Sequence, residues 1–216
     1  MYKAVIWDLD GTLLNTLTDL AGSVNAALAA HGLPRRTVDE VRRFVGNGIP
    51  KLIARAVPAG TEKETETAVL ASFMEHYKVH MNDHTAPYAG ILPLLEELRA
   101  AGMRMAVVSN KADSATAELA RLHFGDRLDA AIGARDGVPK KPAPDGVFTA
   151  LEALDMTAAE AVYIGDSEVD VETGKNAGMD VIAVSWGFRD VETLRDAGAQ
   201  VICGSVEELA QKLKEA

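Results

Sequence analysis

Cysteine is almost absent from this sequence: one residue, Cys203, in 216. A single thiol closes no internal disulfide, so a disulfide-framed scaffold is excluded. In the apolar stretch "QVICG" that thiol is expected to be buried, and the scarcity suits a reducing compartment. Positive charge is also short, with 22 Lys and Arg against 32 Asp and Glu, a net charge of −10. That balance argues against a nucleic-acid backbone or an anionic membrane as partner. No apolar run approaches the roughly 18 residues of a membrane span, and "MYKAVIWDLD" meets two acids before a signal-peptide core can form. A cytoplasmic protein, monomer or homodimer, is the resulting expectation.

What is present is a rhythm. Short apolar runs at 4–10, 104–110, 130–134, 161–166 and 180–186 read as buried strands, with "GAQVICG" a weaker sixth. Amphipathic stretches separate them, and several of these end in glycine, as helix C-termini do. Strands apolar on both faces and alternating with helices indicate a parallel sheet covered on both sides. Residues 16–84 break the rhythm, because no strand pattern occurs there. "TVDE" at 37–40 and "TEKE" at 61–64 have capping-box spacing, and Pro50 suits a first helical turn. The expected fold class is α/β: a Rossmann-like parallel sheet with helices on both faces, formed by 1–15 and 85–216, plus an inserted all-α domain at 16–84.

The chemistry begins at "WDLDGT", residues 7–12. In an extended chain, residues two apart face the same side, so Asp8 and Asp10 can address one point if the strand continues to them. Ligands of doubly wound sheets bind beyond the carboxyl ends of the strands. Three further strand ends carry polar groups: Ser109 and Asn110 in "VVSN", Lys140 and Lys141 in "KKPAPD", and Asp166 and Asp170 in "YIGDSEVD". Each group has an ordinary alternative, as a helix cap or a surface charge. Their joint placement at successive strand ends has none. Clustered acids need a cation, and an oxygen-only set without histidine or cysteine fits Mg²⁺ better than zinc. A lysine and a hydroxyl beside them complement phosphate oxygens.

With these motifs assembled, the chain resembles the haloacid dehalogenase superfamily over essentially its whole length, specifically phosphatases with a helical cap after the first motif. The resemblance implies that Asp8 is the nucleophile forming an aspartyl-phosphate and Asp10 the general acid and base. It implies that Ser109 and the Asn110 backbone hold phosphate oxygens, that Lys141 neutralises Asp8 and the phosphate, and that Thr12 orients the nucleophile loop. Mg²⁺ would be held by the Asp8 carboxylate, the Asp10 carbonyl and the Asp166 carboxylate, with Asp170 acting through water. Dehalogenases lack the second aspartate of the pair, so carbon–halogen cleavage is not expected.

Within the insertion, "VRRFVGNGIPKLIARAV" resembles the cap of bacterial phosphoglycolate phosphatases. Asn47 could then reach over the site and Arg43 could meet a substrate carboxylate, although Arg43 also reads as a solvated helix charge. Ala89 stands where that family usually has proline. Hinges are expected near 14–17 and 85–88. His76, His80 and His84 are spaced for one helix face, a weak metal pattern, and His31 and His123 read as helix C-terminal charges. The expected activity is Mg²⁺-dependent hydrolysis of a small phosphorylated metabolite, foremost 2-phosphoglycolate. The alternatives are pyrophosphate hydrolysis, a phosphomutase of the β-phosphoglucomutase kind, and a non-catalytic phosphate-binding protein.

Overall fold

A computed structural model describes residues 2–215. In chain order its strands are β1 (Ala4–Trp7), β2 (Leu14–Asn15), β3 (Ala86–Pro87), β4 (Arg104–Ala112), β5 (Ala130–Ala134), β6 (Ala161–Gly165), β7 (Asp180–Val184) and β8 (Val201–Cys203). The helices are α1 (Leu17–Ala30), α2 (Val38–Phe44), α3 (Ile49–Ala56), α4 (Lys63–His80), α5 (Ile91–Ala100), α6 (Asp113–Phe124), α7 (Asp145–Leu154), α8 (Glu168–Asn176), α9 (Val191–Asp196) and α10 (Val206–Glu215). The chain divides into two compact units, one of Met1–Leu14 with Pro87–Ala216 and one of Asn15–Ala86. No helix among the described residues is long and apolar enough to cross a membrane.

The larger unit is built on a six-stranded parallel sheet in the order β5-β4-β1-β6-β7-β8. Alternation decides which side chain faces which layer. Val5 and Trp7 of β1, Met105 and Val107 of β4, and Val162 and Ile164 of β6 pack with α5, α6 and α10. Ala4 and Ile6, Ala106 and Val108, and Ala161 and Tyr163 face the opposite way, against α7. A strand with both faces covered must be apolar at every position, and all four residues of β1 are buried. Each large side chain so buried contributes about 1.5–3 kcal/mol. The strand order reverses around β1, which places a crevice at the carboxyl ends of β1 and its neighbours.

Strand ends differ from the sequence reading, β6 by one residue, at Gly165, and three others by more. The β1 ladder stops at Trp7, so Asp8 and Asp10 lie beyond it in a turn where Gly11 adopts a φ of +98°. β4 runs on to Ala112, which puts Ser109 and Asn110 inside the strand instead of after it; its register with β5 shifts between Val108 and Ala112. β7 stops at Val184, leaving Ser185 and Trp186 to a loop.

The smaller unit contains α1 to α4. Leu17, Leu20, Ala21, Val24, Ala27 and Leu28 give α1 its buried stripe, and Val69, Phe73 and Tyr77 give α4 a second at four-residue intervals. The capping box at Thr37 and Glu40 forms in full, and Pro50 lies in the first turn of α3. The expected box at Thr61 does not. Glu62 takes the N-cap position of α4 instead, and the Thr61 hydroxyl, one residue further out, donates to the Pro58 carbonyl at 2.7 Å.

Candidate active site

Asp8 follows β1 directly, its N–H still bonded to the Ile164 carbonyl of β6 at 2.8 Å. Asp166 and Asp170 lie after β6 and in the first turn of α8. The three carboxylates lie within 4.8 Å of one another and are buried. One ammonium serves them: Lys141 Nζ donates to Asp8 Oδ1 at 2.6 Å and to Asp170 Oδ1 at 2.7 Å, with the Tyr163 hydroxyl at 3.1 Å. Glycines make the packing possible. A Cβ on Gly11 would fall 2.3 Å from Asp166 Oδ2, and one on Gly165 would fall 2.3 Å from the Asp170 Cβ.

The electrostatics follow from this crowding. Burial, then the charge of Asp170, pushes the Asp8 carboxyl up to about 7 despite Lys141. Burial and the charges of Asp8 and Asp170 hold Asp166 well above the usual carboxylate range, against the pull of the Phe188 N–H. For Lys141 burial opposes the charge, but Asp170 and Asp8 outweigh it and raise the ammonium well above its ordinary range. Three buried carboxylates against one ammonium, offering oxygen donors only, suit a hard divalent cation such as Mg²⁺.

Asp170 is more heavily engaged than an acid acting through water needs to be. Ser167, not Asp166, caps α8, and its hydroxyl and N–H donate to Asp170 Oδ2 at 2.6 and 3.2 Å. The Tyr163 hydroxyl contacts the other oxygen at 3.1 Å. Thr12 is buried, and its hydroxyl lies at long range from Asp8 Oδ2 (3.4 Å) and Asp166 Oδ1 (3.5 Å).

Asp10 does not join the cluster of three. Its carboxylate is held by Lys111 of β4, whose Nζ donates to Oδ1 at 2.9 Å and Oδ2 at 3.2 Å. The Lys111 side chain is only 3% exposed. On the same strand, Ser109 is buried with its Oγ accepting the Lys111 N–H at 3.2 Å. The Asn110 amide donates to the Lys141 carbonyl at 3.0 Å, tying β4 to the lysine loop.

Sequence reasoning missed two parts of this site. Lys111 directly follows the "SN" pair, yet a lysine after two polar residues looks like a surface charge. The second is the loop after β7, of which only Ser185 and Trp186 fall within the expected strand and Gly187 and Phe188 carry no expectation. There the Phe188 N–H donates to Asp166 Oδ2 at 2.6 Å and Trp186 Nε1 to the Thr12 carbonyl at 3.1 Å. A Cβ on Gly187 would lie 2.3 Å from both Asp166 Oδ2 and the Gly11 carbonyl. The available signal was a glycine just past a strand end, in "SWGFRD".

The candidates in the helical unit are engaged locally. Arg43 Nε donates to the Asp39 carbonyl at 3.2 Å, and Asn47 Oδ1 accepts from Arg55 at 2.8 Å. The histidine triad is broken, since α4 ends at His80 and His84 pairs with Asp19 at 2.9 Å. His76 and His80 stack at 4.2 Å, His76 meeting Ser23 and His80 meeting Asp83.

Comparison with known proteins gives one consistent answer. Residues 5–184 match the model of the haloacid dehalogenase-like hydrolases. A phosphoglycolate phosphatase of Thiobacillus denitrificans is 31% identical, covering 96% of this chain and 94% of that protein. One of Caulobacter vibrioides is 35% identical, covering 93% and 86%. A crystal structure from Lactobacillus delbrueckii subsp. bulgaricus, of a protein provisionally assigned as a phosphoglycolate phosphatase, superposes with a TM-score of 0.93 at 35% identity, covering 98% of both chains. CbbY from Rhodobacter sphaeroides, solved with phosphate, gives 0.73 at 26% identity over 97% of this chain and 99% of that one.

Proposed function

The chain belongs to the haloacid dehalogenase-like hydrolases and is a phosphatase, and on that premise we propose that it hydrolyses 2-phosphoglycolate with Mg²⁺, through a phosphorylated Asp8. The observation that carries this reading is the convergence of Asp8, Asp166 and Asp170 on one point with Lys141. The Asp8 oxygen attacks phosphorus and the bond to the leaving oxygen breaks. Asp10 gives that oxygen its proton, then accepts one from the water that attacks the aspartyl-phosphate. Ser109 and the Asn110 backbone hold the phosphoryl oxygens, and Lys141 offsets their charge beside Asp8. Mg²⁺, held by the Asp8 and Asp166 carboxylates and the Asp10 carbonyl with Asp170 behind them, would supply charge neutralisation and orientation of the phosphate.

We assign leaving-group choice to the helical insertion at 16–84, with Arg43 and Asn47 as its candidate contacts. The choice of 2-phosphoglycolate is supported by the names of full-length relatives at about 31% identity. A second reading, a phosphorylated pentose, is favoured by CbbY, solved as a mutant with xylulose-(1,5)bisphosphate at a TM-score of 0.72. Phosphate release from a panel of 2-phosphoglycolate, xylulose bisphosphate, pyrophosphate, glucose phosphates and nucleotides, with Mg²⁺ and with EDTA, separates these. A kcat/KM for phosphoglycolate at least about tenfold above the rest supports the substrate, and a flat EDTA-sensitive profile removes it. Turnover unaffected by EDTA removes the metal.

A further inference from the structure

We propose that Lys111 is a positioning residue for phosphoryl transfer, aiming the Asp10 carboxyl at the leaving oxygen. The inference rests on the roles given to Asp8 and Asp10 above and adds a residue to them. Each aspartate of the D-x-D pair has its own buried lysine. Lys141 serves Asp8 and Asp170, whereas Lys111 serves Asp10.

The placement comes from the sheet. Trp7 of β1 is level with Val107 of β4. The chain turns after Asp8, with Gly11 in a left-handed conformation, while β4 runs on to Ala112 through the irregular segment where its register with β5 shifts. Lys111, four residues beyond the last paired position, therefore reaches Asp10, three residues beyond it. One ammonium meets both carboxylate oxygens, at 2.9 and 3.2 Å, which holds the carboxyl end-on and fixes where it sits. A lysine 3% exposed is no swinging surface charge, because burial costs an ammonium dearly unless an acid is there to meet it.

The geometry serves both halves of the reaction. When Asp10 carries the proton, Lys111 donates to its carbonyl oxygen, and the O–H points at the leaving oxygen as its bond to phosphorus breaks. When Asp10 is ionised, the same grip holds it to accept a proton from the water attacking the aspartyl-phosphate. Lys111 exchanges no proton and acts only through the Asp10 carboxyl it holds, so its loss matters only where Asp10 matters.

The test compares Lys111→Met, Lys111→Arg, Asp10→Asn and the double variant on two substrates. One is an alkyl phosphomonoester, whose leaving oxygen needs a proton. The other is p-nitrophenyl phosphate, whose leaving oxygen does not. kcat/KM reports the first half-reaction. We expect Lys111→Met to lower kcat/KM at least about tenfold on the alkyl ester and less than about threefold on the aryl ester. Lys111→Arg should recover part of the loss, and adding Lys111→Met to Asp10→Asn should change little. Equal losses on both esters, or the same loss in the Asp10→Asn background, would overturn the inference. Should Lys111→Met fold poorly, the soluble Arg variant still gives the ester comparison. Failure of the parent reading looks different: Asp8→Asn would then retain activity on both esters.

Discussion

Two buried aspartates eleven positions apart, Asp8 and Asp19, set the proposed nucleophile against an acid with a structural part. They are 6% and 4% exposed. Asp19, in the helical unit, accepts the N–H groups of His84 and Thr85 at 2.8 to 3.0 Å, the Thr85 hydroxyl at 2.8 Å and the His84 ring at 2.9 Å. Burial alone would raise its pKa, but these donors outweigh it and hold the carboxyl below its usual value. Asp8 is pushed the other way, by burial and by neighbours of its own sign. One acid has had its charge satisfied by folding, and the other, the proposed nucleophile, is left crowded by like charges.

Substitution should break this contrast most sharply at Asp8. Asp8→Asn is expected to cut phosphatase kcat by at least about a thousandfold, because the nucleophile is lost. It should leave the melting temperature equal or higher, since one of three crowded charges is gone. Asp19→Asn is expected to do the reverse: activity measured below the melting point survives, while stability falls by about 1–3 kcal/mol in a denaturant titration, as the charge goes and one of the two acceptor oxygens becomes an NH2 group facing donors.

The pH dependence of the two acids has opposite sign. A folded-state pKa raised from 3.8 to about 7 means the folded form binds the extra proton between those values. Metal-free protein should therefore lose stability as pH rises from about 4 to 7, by several degrees of melting temperature, and saturating Mg²⁺ should flatten that fall. Asp19, with its pKa lowered from 3.8, contributes stability above pH 4 and loses it as pH falls further. Hydrogen exchange at the Thr85 amide should accordingly quicken, relative to its intrinsic rate, only under stronger acid. Thr37→Ala, removing the α2 capping box, is the smallest expected effect, about 0.5–2 kcal/mol by the same titration.

Much of this was legible in the chain. The alternation of apolar runs with helices fixed the sheet, because a parallel sheet leaves no polar position in a strand like β1. The acids at 8 and 166 were readable from their place at strand ends. Lys111 was not, because only the register of β4 against β1 turns an ordinary lysine toward Asp10. Nor was the backbone N–H of Phe188, which carries no side-chain signal at all. The capping spacing at Thr61 misled for the opposite reason: the sequence pattern is local, and the helix starts one residue later, after Glu62, with Thr61 in the turn back to Pro58. Cys203 lies buried where its apolar neighbours suggested, and burial pushes its thiol up to about 11.

The central claim is that Asp8 takes the phosphoryl group. It is tested most directly by rapid acid quench of the enzyme during turnover with Mg²⁺ and 2-phosphoglycolate, followed by peptide mass mapping. A phosphoryl group on the peptide containing Asp8, lost once the substrate is exhausted and absent in Asp8→Asn, is the expected result. Steady turnover with the phosphoryl group on another residue, or undiminished in Asp8→Asn, would contradict it.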